Sequence, residues 1–145
     1  MEPVKKAFVS QHGPWDTVHD SDTGEELLTI DYLPSVSHLS GETNIACIKR
    51  NTVYDSDHNK VGRIGGRIEL CGSSFSYIQS MEADGGIYWT LFDDTTGAEV
   101  GQLSYVPDGD QINVQISGAT MLGFKAAYVL YTYYRKRKVK ENDSK

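Results

Sequence analysis

The chain has 145 residues, 39% of them hydrophobic and 23% charged, with a formal net charge of −6. That is enough for one domain that buries roughly 68–70% of its unfolded surface in a single core. The acidic total argues against general nucleic-acid binding, so no nucleic acid is expected among the partners. The charge is uneven, however: residues 135–140 read Arg-Lys-Arg-Lys-Val-Lys and make the end of the chain strongly basic. Cys47 and Cys71 lie in strand-like runs without CxxC spacing, which predicts small buried thiols in a reducing compartment rather than a disulfide. The first residues lead into no apolar signal-peptide core, so the expected localisation is cytoplasmic, at most peripheral at a membrane.

Residues 7–10 and 15–19 read as the first strands, with Gly13-Pro14 as the break between them. From Thr17 a phrase begins that occurs three times: Thr17–Ile30, Thr52–Ile64 and Thr90–Leu103, starting 35 and then 38 residues apart. Each copy is a β-favouring run, an acidic turn and a second run ending in Ile or Leu, and a repeat at this spacing is an architectural signal. Asp20-Ser21-Asp22-Thr23-Gly24 supplies side chains that hydrogen-bond their own backbone and a glycine that tolerates positive φ. Gly97 takes that place in the third copy, and Asn59 is expected to take it in the second. Each copy is therefore predicted to be a hairpin.

Between the repeats, 34–41 reads as a Ser-rich connection, Asn44–Tyr54 as one strand, and Arg63–Leu70 as the extended return of the second hairpin. Gly62, Gly65 and Gly66 within that return suggest a bend or bulge. Phe75–Met81 alternates well, Asp84-Gly85-Gly86 turns the chain into Ile87–Phe92, and Pro107-Asp108-Gly109-Asp110 leads into Gln111–Ile116. About ten to twelve short strands are expected before residue 118.

The character of the chain then changes. From Gly118 to about Arg137 there is no turn signal and no strand alternation, and apolar residues fall on every side of a predicted helix about five turns long, roughly 30 Å. A helix apolar all round is either buried or in a membrane. Lys125 interrupts the apolar run, and the basic segment after Tyr134 would suit a cytoplasmic flank. One reading threads the helix through a closed barrel; the other makes 118–134 the span of a tail-anchored protein with an acidic β-domain. Lys125 discriminates, because in a barrel its ammonium must reach an end or a partner and in a bilayer it must snorkel.

Repeated hairpins followed by one apolar C-terminal helix resemble the tubby C-terminal fold, whose relatives include the plant LURP-one-related proteins and the phospholipid scramblases. The resemblance rests on Val53-Tyr54-Asp55 with Val61-Gly62-Arg63-Ile64, on Leu91-Phe92-Asp93 with Val100-Gly101-Gln102-Leu103, and on Ile112–Ile116 running into the helix. It implies an all-β barrel of antiparallel strands around a central hydrophobic helix. Residues 1–137 would form the domain, with the helix over about 118–137, and 138–145 would form a disordered basic and polar tail. The chain is shorter than tubby proteins proper and has no Pro- and Cys-rich N-terminal region like that of the scramblases.

Two basic groups could meet phosphate: Lys49, Arg50, Arg63 and Arg67 around the second hairpin, and Arg135, Lys136, Arg137 and Lys138, with Lys140, at the end. Cations clustered near an anionic leaflet contribute about 1 kcal/mol each. Against this stands a solvated tail that merely keeps the terminus in water. The spacing of Asp20 with Asp22, and of Asp55 with Asp57, also suggests the opening of a calcium loop, but neither copy has the closing bidentate Glu. Such acids more often bond their own turn.

Catalysis finds little support. His12, His19, His38 and His58 share no metal-ligand spacing, and no nucleophile elbow, phosphate loop or zinc motif occurs. Trp15, Tyr32, Tyr77, Tyr88, Trp89 and Tyr105 could line a cavity, but a helix inside the barrel would leave little room. The expected function is a non-enzymatic module without a cofactor. It would bind anionic, phosphoinositide-type phospholipid headgroups or a membrane-proximal protein partner. The alternatives are a scaffold domain that binds no lipid and the tail-anchored protein. The oligomeric state is left open.

Overall fold

The computed structural model describes residues 2–33, 35–41 and 43–143, with side chains through Arg137. Twelve strands precede one helix: β1 (Lys5–Gln11), β2 (Trp15–Asp20), β3 (Glu26–Tyr32), β4 (Val36–Gly41), β5 (Ile45–Lys49), β6 (Thr52–Asp55), β7 (Lys60–Ile64), β8 (Ile68–Leu70), β9 (Ser73–Met81), β10 (Ile87–Asp93), β11 (Glu99–Asp108), β12 (Gln111–Gly118) and α1 (Met121–Asp143). Every strand is antiparallel to its sequence neighbours. β12 returns to β1, from Lys5 against Gly118 to Val9 against Val114, and the sheet closes into a barrel.

The alternation of side chains dictates which face is inside. On β12, Val114 and Ile116 are buried while Gln111 and Gln115 face out; on β3, Leu28, Ile30 and Tyr32 are buried around exposed Asp31. The three repeats are one hairpin geometry used three times. Asp20, Asp55 and Asp93 each accept two backbone N–H groups from their own turn, on Oδ1. Each hairpin also carries a register shift just before its turn, at Val18/His19, Val53/Tyr54 and Leu91/Phe92. Gly24 and Gly97 have φ of 75°; in the second copy it is His58, not Asn59, that takes the left-handed position, at 65°. Because the copies join β2–β3, β6–β7 and β10–β11 in a simple meander, all three acidic turns lie at one end of the barrel.

Three segments differ from the sequence expectation. The connection at 34–41 contains β4, whose Ser37 and Leu39 are buried between exposed His38 and Ser40; a serine at the inward position 37 hid the alternation. Asn44–Tyr54 is two strands, β5 and β6, broken by a tight turn in which Arg50 adopts φ of 56°. Arg63–Leu70 is likewise split, with Gly65-Gly66-Arg67 turning β7 into β8. Neither thiol is fully buried: Cys47 is partly exposed and Cys71 is exposed in the turn before β9.

The helix fills the barrel. Ala126, Ala127, Tyr128, Val129, Leu130, Tyr131 and Thr132 are consecutive and at most 2% exposed. Successive helical positions point about 100° apart, so this run faces every direction and the helix must be enclosed. It begins at Met121, where the Oγ1 of Thr120 accepts the Gly123 N–H at 2.9 Å as an N-cap. It ends at Asp143, so the expected disordered tail continues the helix through that residue. Lys125 reaches the acidic end and donates to Asn44 Oδ1 at 3.0 Å, as the barrel reading requires. Among the described residues no helix is long and apolar enough to cross a membrane.

Candidate functional site

Register brings the first basic group together on one outer face. Lys49 lies opposite Thr52, Thr52 opposite Arg63, and Arg63 opposite Glu69. Ile48, Val53 and Ile64 turn inward, so Lys49, Thr52 and Arg63 turn outward. Two strand spacings separate Lys49 from Arg63, roughly 10 Å, about the reach of two side chains converging on one phosphate group. Arg50 stands in the adjoining turn, and Arg67 in the next turn at the same end is 69% exposed, with a long 3.8 Å approach to Asp94. Lys49, Arg50 and Arg63 make no ion pair among the described residues. Lys49, Arg50, Arg63 and Arg67 thus gather toward one end of β5–β8 on an acidic protein, while exposed Lys60 stands at the other end of β7.

The second basic group does not stay together. Arg137 is exposed, with its guanidinium 5.6 Å from the Tyr133 ring centroid. Lys136 is partly buried, and the Lys138 side chain lies outside the described residues. Arg135 turns into the barrel. Its Nε is 3.4 Å from Asp16 Oδ2, it donates to the Gly13 carbonyl at 3.0 Å, and its guanidinium lies 5.8 Å from the Tyr32 ring centroid. Arg135 is therefore committed to the interior, a correction to its grouping with the tail. Helical spacing is the signal that could have found this: Tyr128, Tyr131 and Arg135 share one face.

Asp16 is the centre of this interior cluster and was missed in the sequence. Its Oδ2 accepts Tyr32 Oη at 2.7 Å and Tyr131 Oη at 2.6 Å, while Gln11 Nε2 donates to Tyr131 at 3.2 Å. Burial raises the Asp16 carboxyl above the usual carboxylate range, although both tyrosines and Arg135 pull it down. Burial, with Asp16 nearby, pushes both tyrosine hydroxyls well up. Desolvation works against the charged guanidinium, but Asp16 and the tyrosines outweigh it and raise Arg135. The cluster ties the emerging half of the helix to β1, β2 and β3.

The calcium spacing resolves into turn chemistry. Asp20 Oδ1 holds the Asp22 and Thr23 amides while Oδ2 accepts Lys5 Nζ at 2.9 Å, and these bonds, Lys5 first, lower its pKa to about 2. Asp55 gives both oxygens to its own turn, to the Asp57 and Asn59 amides and the Asn59 side chain. Among the described residues no three His, Cys, Asp or Glu side chains gather as metal ligands. One contact had no sequence signal: Thr17 Oγ1 lies between His12 Nε2 at 3.0 Å and His19 Nε2 at 2.8 Å.

The aromatic set does not line one cavity. Trp89 and Tyr105 pack edge-on against Tyr134 of the helix, and Trp15 stacks on His12. An open groove of about 560 Å³ runs over the outer face of β10, β11, β12 and β1, lined by Lys6, Asp22, Tyr88, Gln102 and Gln115 among others. No family model, curated protein or solved structure matches the chain.

Proposed function

We propose that the protein is a non-enzymatic binding module whose basic face along β5–β8 engages phosphate groups on an anionic lipid surface. The observation that carries this reading is the set of exposed cations Lys49, Arg50 and Arg63, without ion-pair partners among the described residues, on one face of a chain of net charge −6. Arg50 adds a second support. An arginine at φ 56° is strained where glycine or asparagine would be relaxed, and strain kept in a turn points to a use for the side chain. The resemblance to the tubby C-terminal fold, with its lipid-binding members, agrees with this reading. At about 1 kcal/mol per cation near an anionic leaflet, the face would give reversible, salt-sensitive attachment.

Co-flotation of the full chain with neutral, phosphatidylserine and phosphoinositide vesicles, at low and physiological salt, tests it. The expected result is binding to the anionic vesicles that is lost in the Lys49→Glu, Arg63→Glu double variant. Binding that instead disappears only when residues 138–145 are removed would reduce the effect to attraction by the basic end. No binding to any vesicle would favour a scaffold that presents its loops to a protein partner.

A further inference from the structure

Closure of the barrel is uneven at one seam. β8 pairs with β9 only through Ile68–Phe75, Glu69–Ser74 and Leu70–Ser73, whereas β9 continues along β10 as far as Met81–Ile87. Among the described residues, β9 therefore has a strand on one side alone from Ser76 to Met81. The parity of the ladder shows which backbone groups are open. The Asp94 N–H donates to Ser74 O and the Glu82 N–H to Gly86 O, so even-numbered residues of β9 exchange hydrogen bonds with β10. The N–H and C=O of Tyr77, Gln79 and Met81 point the other way, into the seam. The Tyr77 hydroxyl bridges to Gly65 O at the lower end of this gap. Beyond it, Ile78, Gln79, Ser80 and Met81 are all exposed, Ile78 by 62% and Met81 by 68%.

This edge lacks the devices that usually blunt one. Ser76-Tyr77-Ile78-Gln79-Ser80-Met81 contains no charge and no proline, and it is rich in β-favouring residues. We propose that it pairs with the same edge of a second copy of the chain, antiparallel about a two-fold axis at Gln79. That register sets Gln79 against Gln79 and Tyr77 against Met81, so each open N–H and C=O meets a counterpart. It also brings Glu82 of each copy level with Ser76 of the other. Arg67, the residue before β8, stands at that level, exposed and, among the described residues, with only its long approach to Asp94 as an ion pair. Each end of the joint would thus hold an Arg67–Glu82 pair. An unrelated extended peptide would satisfy the same backbone groups but would leave this charge match unexplained. The two-fold arrangement consumes both edges, so assembly stops at the dimer.

Sedimentation equilibrium of the full chain over a concentration series tests this directly. The expected result is a monomer–dimer equilibrium. Met81→Pro removes an N–H that faces the seam and is not used by β10, so the fold should keep its circular dichroism spectrum while dimerisation weakens by about tenfold. Arg67→Glu and Glu82→Lys should each weaken it, and the two together should restore it. A monomer at every concentration would overturn the proposal. So would a dimer indifferent to Met81→Pro and to the charge exchange.

Discussion

Asp16 on β2 and Tyr131 on the helix, 115 residues apart in the chain, meet at 2.6 Å inside the barrel. With Tyr32 and Arg135 they fasten the far half of the helix to the wall, where the helix is no longer apolar all round. Removing one member of a buried charge pair leaves the other uncompensated, at about 3–5 kcal/mol. Arg135→Met should therefore lower stability by that amount, a fall in Tm of about 10 °C or more. The double variant Asp16→Leu, Arg135→Met, which removes both charges of the pair, should recover most of it. Urea unfolding of the single and double variants measures both.

The carboxylates should titrate in opposite directions. Asp16 in the fold lies above its unfolded value of 3.8, so its contribution to stability is full below that value and is lost as pH rises through the folded pKa. Asp16→Asn should remove this part of the pH dependence. Asp20, lowered to about 2, behaves the other way: its contribution is full above 3.8 and is lost as pH falls through about 2. Asp55 and Asp94 share its sign. Carbon-detected NMR titration of the side-chain carboxyls should place Asp16 above, and Asp20 below, the ordinary range.

Arg50 separates stability from binding. A non-glycine residue in the left-handed region costs about 1–2 kcal/mol, of which glycine's own flexibility gives back part. Arg50→Gly should accordingly stabilise the protein by about 0.5–1 kcal/mol. The same change should weaken association with anionic vesicles, since it removes one cation from the β5–β8 face. Thermal unfolding and co-flotation of one variant check both halves; a loss of stability would show that Arg50 makes a contact worth more than its strain.

The barrel with its single helix was legible because two periodic signals survive in the sequence: a hairpin phrase repeated at Thr17, Thr52 and Thr90, and an apolar run that begins after β12. The turns at Arg50-Asn51 and Gly65-Gly66 were not legible as strand breaks, because Lys49-Arg50-Asn51-Thr52 contains no Gly, Pro or Asp and Gly65-Gly66 fits a bend within one strand equally well. Asp16 gave no signal either. It sits in a short, mostly polar strand, and its partners lie on β3 and at the far end of the helix. Only the helix side of that cluster has a spacing to read. The basic face was visible as residue types, but its coherence depends on the register of β5, β6 and β7, which the sequence does not specify.

Gly123 shows where the helix and wall are fitted most closely. A Cβ built there would lie 2.0 Å from the Val100 carbonyl oxygen, a backbone atom that cannot move aside cheaply. A Cβ built at Gly118, at the end of β12, would likewise collide with the backbone of Phe124. These two glycines let the first turn of the helix rest directly on β11 and β12 as it enters the barrel. Helix propensity alone would make Gly123→Ala stabilising by about 1 kcal/mol. The clash forces a backbone shift that overpacking usually makes cost about 1–3 kcal/mol, and it falls where the N-cap of Thr120 is set. The contact should win, so Gly123→Ala should destabilise the protein, whereas an alanine at exposed Arg137 should change little by comparison. Denaturant midpoints of the two variants decide it: a midpoint for Gly123→Ala at or above that of the parent would mean that the helix is free to slide at its first turn.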